Sequence, residues 1–492
     1  MSPRIAIASL TFTLLLAVIT FFALAPQRTA PTATQTDALA ALDTTRIREV
    51  TITPIGSAAP LATLSRDASL DLWLIRDASR TWPAGDAQLR GFLRLISQLA
   101  RQPIDPATTP PAAGTIIVLT RDDSTTIRLH IAATVVGGRV AVFDESTKIT
   151  RLAEAGLATL FAPESLPLWR STQPLTNLAG QPSRIVVDAS GKRLELARLQ
   201  DRWNLQTPVK APAERARVDA LTQGIARLTA LRLLDSTATN SNTSDANMGL
   251  TNPVAIIRLT TTVPATKPGD APRIIEQELT LGSASDASGN SFFASSQTKD
   301  ATGTILWGPQ VLTLPREAMS SLVADSASYI ALRNSQIPAA DVGSLLIARC
   351  DACLTGPSPQ PQSKPAARDA LLARRDQTWT LARGEASPQP TSPPQGALAT
   401  NLLRLLCDTP ADKVFTSAPQ GTTSLALLTL RSPAGAPLDV LGIGEVPAAA
   451  TDAQGKTVSG VVIRAGNIYR VFITDDARQL FKLLIELIPV EG

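Results

Sequence analysis

The sequence is short of the residues that reaction chemistry most often uses. It has one histidine, His130, and three cysteines in 492 residues. A Ser-His-Asp triad would have to be built on that one histidine, and no G-x-S-x-G elbow is present to supply its serine. Zinc wants about four ligands, and Cys350 and Cys353 have neither a second C-x-x-C nor a histidine pair beside them. Three cysteines cannot make a disulfide framework. Aromatic residues are only 4% of the chain, so its cores must rest on Leu, Ile, Val and Ala. Runs of Lys and Arg are missing too. The net charge of +4 is small for this length and is spread along the chain, so no stretch tracks a phosphate backbone and no nucleic acid is expected. No metal and no cofactor is expected, and the chain is not expected to be an enzyme, because catalysis needs positioned titratable groups that the pattern does not supply.

What the sequence does have is length, apolar content and repetition. Hydrophobic residues are 44% of 492, enough for two to four cores. Residues 5–24 carry no charge. A helix of that length spans roughly 30 Å, the thickness of a bilayer's hydrocarbon core. Arg4 precedes it, which places the N-terminus in the cytoplasm and the bulk of the chain on the extracytoplasmic side of the inner membrane. The rival is a cleaved signal peptide ending at Ala23-Leu24-Ala25. The run is longer than a signal's apolar region and Pro26 would follow the cut directly, so a single-pass anchor in the lipid bilayer is expected. Residues 26–43, rich in Thr, Ala and Pro, read as a stalk.

Three Trp-centred strands recur, each followed by a loop and an amphipathic helix. Trp73-Leu74-Ile75 leads to the stripe Leu89, Phe92, Leu93, Ile96 and Leu99. Trp203-Asn204-Leu205 leads to Val218, Leu221, Ile225 and Leu228. Trp379-Thr380-Leu381 leads to Leu398, Leu402, Leu405 and Leu406. Each stripe has the i, i+3, i+4, i+7 spacing of one buried helix face. Alternating segments follow and read as antiparallel strands: Thr115–Thr120, Thr125–Ile131 and a hairpin at Gly137-Gly138 in the first unit; Val254–Leu259, Ile274–Gly282 and Ile305–Leu314 in the second; Leu425–Leu430, Leu438–Gly444, Val461–Arg464 and Tyr469–Ile473 in the third. A second helix is expected to close each unit, at Lys148–Phe161, Arg316–Ala324 and Asp475–Ile488. The unit exits also match: Trp169-Arg170-Ser171-Thr172-Gln173-Pro174 resembles Leu332-Arg333-Asn334-Ser335-Gln336-Ile337-Pro338. Each exit leads through a hairpin to the next Trp strand, Arg184–Val187 into Leu194–Leu199 and Ser344–Ala348 into Ala370–Arg374. A strand that alternates buries one face, so each sheet needs a helical layer. The expected fold is α+β: an N-terminal transmembrane helix, then three related units of antiparallel sheet covered by two helices each, at 44–178, 182–340 and 342–492.

Local motifs give little chemistry. His130 lies on a strand whose Ile127, Leu129 and Ile131 share one face, leaving Thr126, Arg128 and His130 on the solvent side. Gly455-Lys456-Thr457 mimics the end of a phosphate loop, but Ala450 stands where the first glycine belongs and a strand follows, so a hairpin turn is the better reading. Cys350 and Cys353, at an expected hairpin tip, are candidates for a local disulfide or stand as two idle thiols; Cys407 belongs to the third helix's core face. Asp122-Asp123 and Asp475-Asp476 suit a turn and a helix start. The three tryptophans suit sheet–helix packing better than a stacking platform.

The pattern resembles the domain of unknown function DUF4340 family. The resemblance rests on Trp203-Asn204-Leu205 and Trp379-Thr380-Leu381, on Gly249-Leu250-Thr251-Asn252-Pro253 after the second unit's helix, on Leu279-Thr280-Leu281-Gly282 at a strand end and on the exit Leu332-Arg333. Unit one departs from it, with Trp73-Leu74-Ile75 and no Gly-Leu-x-x-Pro, and unit three lacks the latter as well. The resemblance covers 45–492, best over 184–340. It implies a bacterial membrane-anchored protein, often encoded beside gliding-motility-type ABC transporter components. The expected role is a non-catalytic accessory or scaffold subunit whose partners are membrane transporter subunits. The alternative is a periplasmic or cell-wall ligand-binding module with clefts between units. The family supplies no active residues.

Overall fold

In a computed structural model of the chain the described residues run from 42 to 487. Several internal stretches fall outside them, the longest being 235–244 and 318–325. The expected membrane helix at 5–24 and most of the stalk therefore lie outside the described residues, among which no helix is long and apolar enough to cross a membrane.

The first repeat opens with β1 (Ile47–Pro54), β2 (Ala62–Asp67), β3 (Leu72–Arg76) and β4 (Thr81–Pro83). Helix α1 (Asp86–Gln98) follows, then β5 (Ile104–Asp105), β6 (Gly114–Arg121), β7 (Thr126–Val136), β8 (Arg139–Asp144), β9 (Ile149–Glu154) and the short α2 (Gly156–Leu160). The second repeat is β10 (Pro182–Ala189), β11 (Lys192–Leu199), β12 (Arg202–Thr207), β13 (Ala211–Pro212), α3 (Arg215–Ala226), β14 (Arg232–Leu234), β15 (Ala255–Val263), β16 (Arg273–Ala284), β17 (Ser291–Asp300) and β18 (Ile305–Pro315). The third is β19 (Ser344–Arg349), β20 (Ala370–Arg375), β21 (Thr378–Arg383), β22 (Gln389–Pro390), α4 (Pro393–Cys407), β23 (Lys413–Phe415), β24 (Thr423–Arg431), β25 (Pro437–Thr451), β26 (Thr457–Ala465), β27 (Ile468–Phe472) and α5 (Asp475–Leu487).

All three repeats form the same sheet of nine strands. The order is β4-β3-β2-β1-β6-β7-β8-β9-β5 in the first, and the second and third repeat it strand for strand. The first strand of each repeat sits inside the sheet, paired antiparallel with the repeat's second and sixth strands: β1 with β2 and β6, β10 with β11 and β15, β19 with β20 and β24. The helix after the fourth strand carries the chain from one edge of the sheet to the other. It must cross one face, and its apolar stripe is buried there.

That inner face is where the sequence pattern is spent. Leu89, Phe92, Ile96 and Leu99 are buried in the first repeat. In the second, Val218, Leu221, Ile225 and Leu228 pack with Ile185, Leu196, Ile257, Leu279 and Leu312. In the third, Leu398, Leu402, Leu405 and Leu406 pack with Leu345, Leu372, Leu428, Ile443 and Ile463. Helix α4 is started by a capping box between Ser392 and Gln395, with Pro393 at the first helical position, where its missing N–H removes nothing. Helix α5 starts on Asp475 and Asp476, whose carboxylates favour the positive helix end.

The closing helices differ from expectation in the first repeat. Residues 149–154, expected inside a helix, form strand β9 paired with β8 in register Asp144↔Ile149 to Arg139↔Glu154. The tight turn from Asp144 to Lys148 reverses the chain, and the β-branched pair Ile149-Thr150 continues as strand. Helix keeps only Gly156–Leu160. The expected Arg316–Ala324 helix lies almost wholly outside the described residues. The third closing helix, Asp475–Leu487, stands where expected. Further strands escaped the sequence pattern: β1 and β2 at the start of the first repeat, the edge strands β4, β5, β13, β14, β22 and β23 of two or three residues each, and the polar β17, Ser-Phe-Phe-Ala-Ser-Ser-Gln-Thr-Lys-Asp.

By packing, the chain divides into two compact bodies. One takes in most of the first repeat through Arg170; the other takes in the second and third repeats with 67–72 and 80–83. Within the second body the two repeats share a core, since Ile468 and Val414 of the third pack against the second's apolar cluster. The connecting segment is pinned there as well. Arg470, 1% exposed, donates from Nε to the Ala331 carbonyl at 2.9 Å, and Ser335 N–H donates to Leu406 O at 3.0 Å. Burial lowers the Arg470 guanidinium to about 10, with Asp439 opposing the shift. Burial raises the Asp439 carboxyl against a hydrogen bond from Ser335.

Candidate functional site

Trp73, Trp203 and Trp379 occupy the third strand of each sheet, β3, β12 and β21. Trp379 is 7% exposed, packs in the core that holds Leu398 and Leu402, and donates its indole N–H to Thr400 Oγ1 at 3.2 Å. Trp203 is half-buried against the cluster of Val218, Leu221 and Ile225. Trp73 is half-buried. Leu281 is a core residue. Gly282 admits the chain beside it: a Cβ there would lie 2.1 Å from the Met248 carbonyl, which accepts from Ser283 N–H at 2.8 Å.

The exits correspond with a shifted register. Gly85 N–H donates to Trp169 O and Ser171 N–H to Pro83 O; in the second repeat the matching bonds are Glu214 N–H to Tyr329 O and Ala331 N–H to Pro212 O. The bridges Ala84↔Arg170 and Ala213↔Ile330 then make Arg170 the counterpart of Ile330. Arg170 is buried and pairs with Asp77, whereas Arg333, three residues past Ile330, is exposed. The shared Arg of the two sequences is therefore not a shared structural position.

The repeats differ on their outer faces, away from the helices. In the second repeat that face is a ladder of opposite charges. Arg184 and Arg193 meet Glu195 at 2.8 and 3.2 Å, Arg193 and Arg258 meet Asp188 at 3.8 and 3.1 Å, and Arg258 meets Glu278 at 2.7 Å. Gln297 Nε2 donates to Glu278 Oε1 at 2.7 Å. Burial works to raise the Glu278 carboxyl, but the Arg258 and Gln297 hydrogen bonds win and hold it below the usual glutamate range.

In the third repeat the same face is apolar and covered. The chain leaving β19 folds back as a strap, so Cys353 and Leu354 are buried with Ala348, Leu427, Val462 and Val471. Arg464 Nη1 donates to the carbonyls of Cys353 and Gly356 at 3.1 and 2.8 Å, and Tyr469 Oη donates to Leu354 O at 2.8 Å. Gly442 and Gly444 make the room: a Cβ on Gly444 would lie 2.5 Å from Leu354 Cδ1, and one on Gly442 2.9 Å from Cys353 O. Both cysteines are free thiols here, Cys350 half-buried and Cys353 buried. Cys353 thus lies in a packed strap rather than at an open tip. Burial, then the neighbouring Cys350, pushes its thiol up to about 12, which makes it a poor nucleophile. Cys407 is buried on α4, as its apolar neighbours suggested, and burial raises its thiol to about 11.

In the first repeat the outer face holds the histidine. His130 on β7 stands opposite Phe143 on β8, ring centroids 5.9 Å apart and edge-on. Glu145 reaches back from the turn after β8, its Oε2 2.9 Å from His130 Nε2 and 3.0 Å from Arg128 Nε. Lys148 lies with Nζ 5.8 Å from the Phe143 ring centroid. The turn is tightly built. Asp144, 1% exposed, accepts at Oδ1 from Ser146 N–H and Oγ at 2.9 and 2.7 Å, and Lys148 N–H donates to Asp144 O at 2.9 Å. Lys148 pays with a left-handed backbone, φ +56, a conformation that costs a residue with a Cβ roughly 1–2 kcal/mol. Arg128, His130, Phe143, Glu145, Lys148 and Pro110 line a concavity of about 390 Å³. The sequence placed Arg128 and His130 on one face; Glu145, Phe143 and Lys148 were missed, because a five-residue turn has no periodicity to read.

The remaining motifs are local. Asp123 closes a turn by accepting from Thr125 N–H and Oγ1 at 3.0 and 2.6 Å. Gly455 and Lys456 lie outside the described residues, and Thr457 opens β26. Among the described residues no group of three or more metal-ligating side chains gathers.

No curated protein and no solved structure matches the chain. A family profile does match, over residues 203–391, less than half of the chain. The matched stretch runs from Trp203 on β12 to the residue after β22, so it covers one period out of phase with the sheets. Over that stretch the chain resembles the family described as Domain of unknown function (DUF4340).

Proposed function

We propose that the chain is a non-catalytic, extracytoplasmic accessory or scaffold subunit of an ABC-type membrane transport complex, held to the inner membrane by residues 5–24. The observation that carries this reading is that one nine-stranded sheet is built three times, with the helix-facing core kept and the outer face changed each time. Repetition of that kind supplies area for several contacts, and protein contact surfaces vary where cores do not. A ladder of paired charges favours specificity of contact more than chemistry. A ligand-binding module is the second reading, favoured by the concavity at His130.

The test is purification of the tagged full chain from detergent-solubilised membranes. Stoichiometric co-elution of a polytopic permease and a nucleotide-hydrolysing subunit is expected. A chain that leaves the membrane in alkaline carbonate, or elutes alone after gentle solubilisation and cross-linking, would overturn the proposal.

A further inference from the structure

The outer face of the first sheet combines unused donors and an unused acceptor within one concavity. Arg128 meets Glu145 through Nε, and among the described residues its two Nη groups donate no hydrogen bond to the protein. Lys148 Nζ rests against the Phe143 ring and forms no ion pair among the described residues. On the acceptor side, Glu145 meets both Arg128 and His130 through Oε2, and among the described residues no protein hydrogen bond reaches Oε1. Hydrogen bonding from His130, together with the charges of Arg128, His130 and Lys148, outweighs the opposing effect of burial and keeps this carboxyl below the usual glutamate range. It is therefore ionised at neutral pH.

Two cationic donors and one anionic acceptor thus face the same space of about 390 Å³, at the lower end of small-molecule sites. An isolated anion would use the donors and meet repulsion from Glu145. An isolated cation would use Glu145 and meet repulsion from Arg128 and Lys148. A molecule carrying both signs satisfies all three. The backbone supports a fixed arrangement: Lys148 is held in its left-handed conformation by the Asp144 turn, and such conformations concentrate at ligand sites.

We propose that Arg128, His130, Glu145 and Lys148 form a binding site for a small zwitterion, its carboxylate on Arg128 and Lys148 and its ammonium on Glu145. The proposal goes beyond the scaffold reading and does not depend on it.

His130 is the chain's sole histidine, so selective labelling of histidine gives one ring signal in the full-length protein. The experiment titrates that signal with L-alanine, with acetate and with ethylamine at matched ionic strength. L-Alanine is expected to shift it saturably, acetate and ethylamine at least about tenfold more weakly, since each loses one charge-assisted contact. Arg128→Gln and Glu145→Gln, both at exposed side chains, should each weaken L-alanine about tenfold or more while far-ultraviolet circular dichroism stays unchanged. Saturation by acetate at the same concentration as L-alanine would overturn the proposal, as would no saturable shift with L-alanine, or a shift unaltered in both variants. None of these outcomes bears on co-purification with a transporter, so failure here and failure of the scaffold reading remain distinct.

Discussion

The outer faces of the second and third sheets solve one problem in opposite ways. Both belong to nine-stranded sheets of identical order, and both sheets use their inner face for a helix. The second leaves its outer face in water and covers it with Arg–Glu and Arg–Asp pairs. The third makes it apolar and covers it with its own chain, the strap at Cys350–Gly356. The local sequence decides which. β15 and β16 alternate, with Arg258, Glu276 and Glu278 outward. β24 and β25 instead carry Leu427, Gly442 and Gly444 outward, and the glycines leave a channel for the strap. A topology fixed by inward residues therefore leaves the outward ones free to diverge.

The largest effects of substitution are expected at the packed positions of the third repeat. Trp379→Ala should cost about 3–5 kcal/mol, as for a large aromatic core residue, and Leu354→Ala about 2–5 kcal/mol, since Leu354 is fully buried although it lies outside the helix-facing core. Denaturant midpoints measure both. Only Leu354→Ala should also raise binding of a hydrophobic dye, because it loosens the cover of an apolar sheet face. A Leu354→Ala protein as stable as its parent would mean that the strap does not seal that face.

The ladder of the second repeat should respond less, and with acid. The folded Glu278 carboxyl titrates below its unfolded value, so its stabilisation is fully present above the ordinary glutamate range and is lost as pH falls through the lower folded value. Glu278→Gln should cost about 1 kcal/mol at neutral pH, screening at this half-buried site being partial, and the difference from the parent should shrink below about pH 4. A difference that grows on acidification would reverse the sign of the account.

Much of the fold was legible because inner faces obey simple periods. Val218, Leu221 and Ile225 announce a helix face, and Ile127, Leu129 and Ile131 a strand face. The Trp strands gave the repeat because one aromatic recurs at one place in each sheet. The short strands were not legible: two or three residues such as Ile104–Asp105 or Gln389–Pro390 hold their place by pairing with a neighbour, which sequence alone does not show. β9 was misjudged because the reversal at Asp144–Lys148 depends on side-chain hydrogen bonds inside the turn. The strap was hidden for a related reason. A C-x-x-C suggests a tip, whereas its burial depends on Gly442 and Gly444, nearly a hundred residues away in sequence. The concavity at His130 was half legible, through Arg128 and His130 on one strand face.

The central claim is that one sheet is built three times, with the first strand of each repeat at its interior. Hydrogen exchange on the full chain, read by peptide mass spectrometry, tests it most directly. Slow exchange is expected in three separated pairs, β1 with β6, β10 with β15 and β19 with β24, and fast exchange in the edge strands β4, β13 and β22. If any one of the three interior pairs exchanged as fast as its edge strand, the three sheets would not be equivalent and the account would be contradicted.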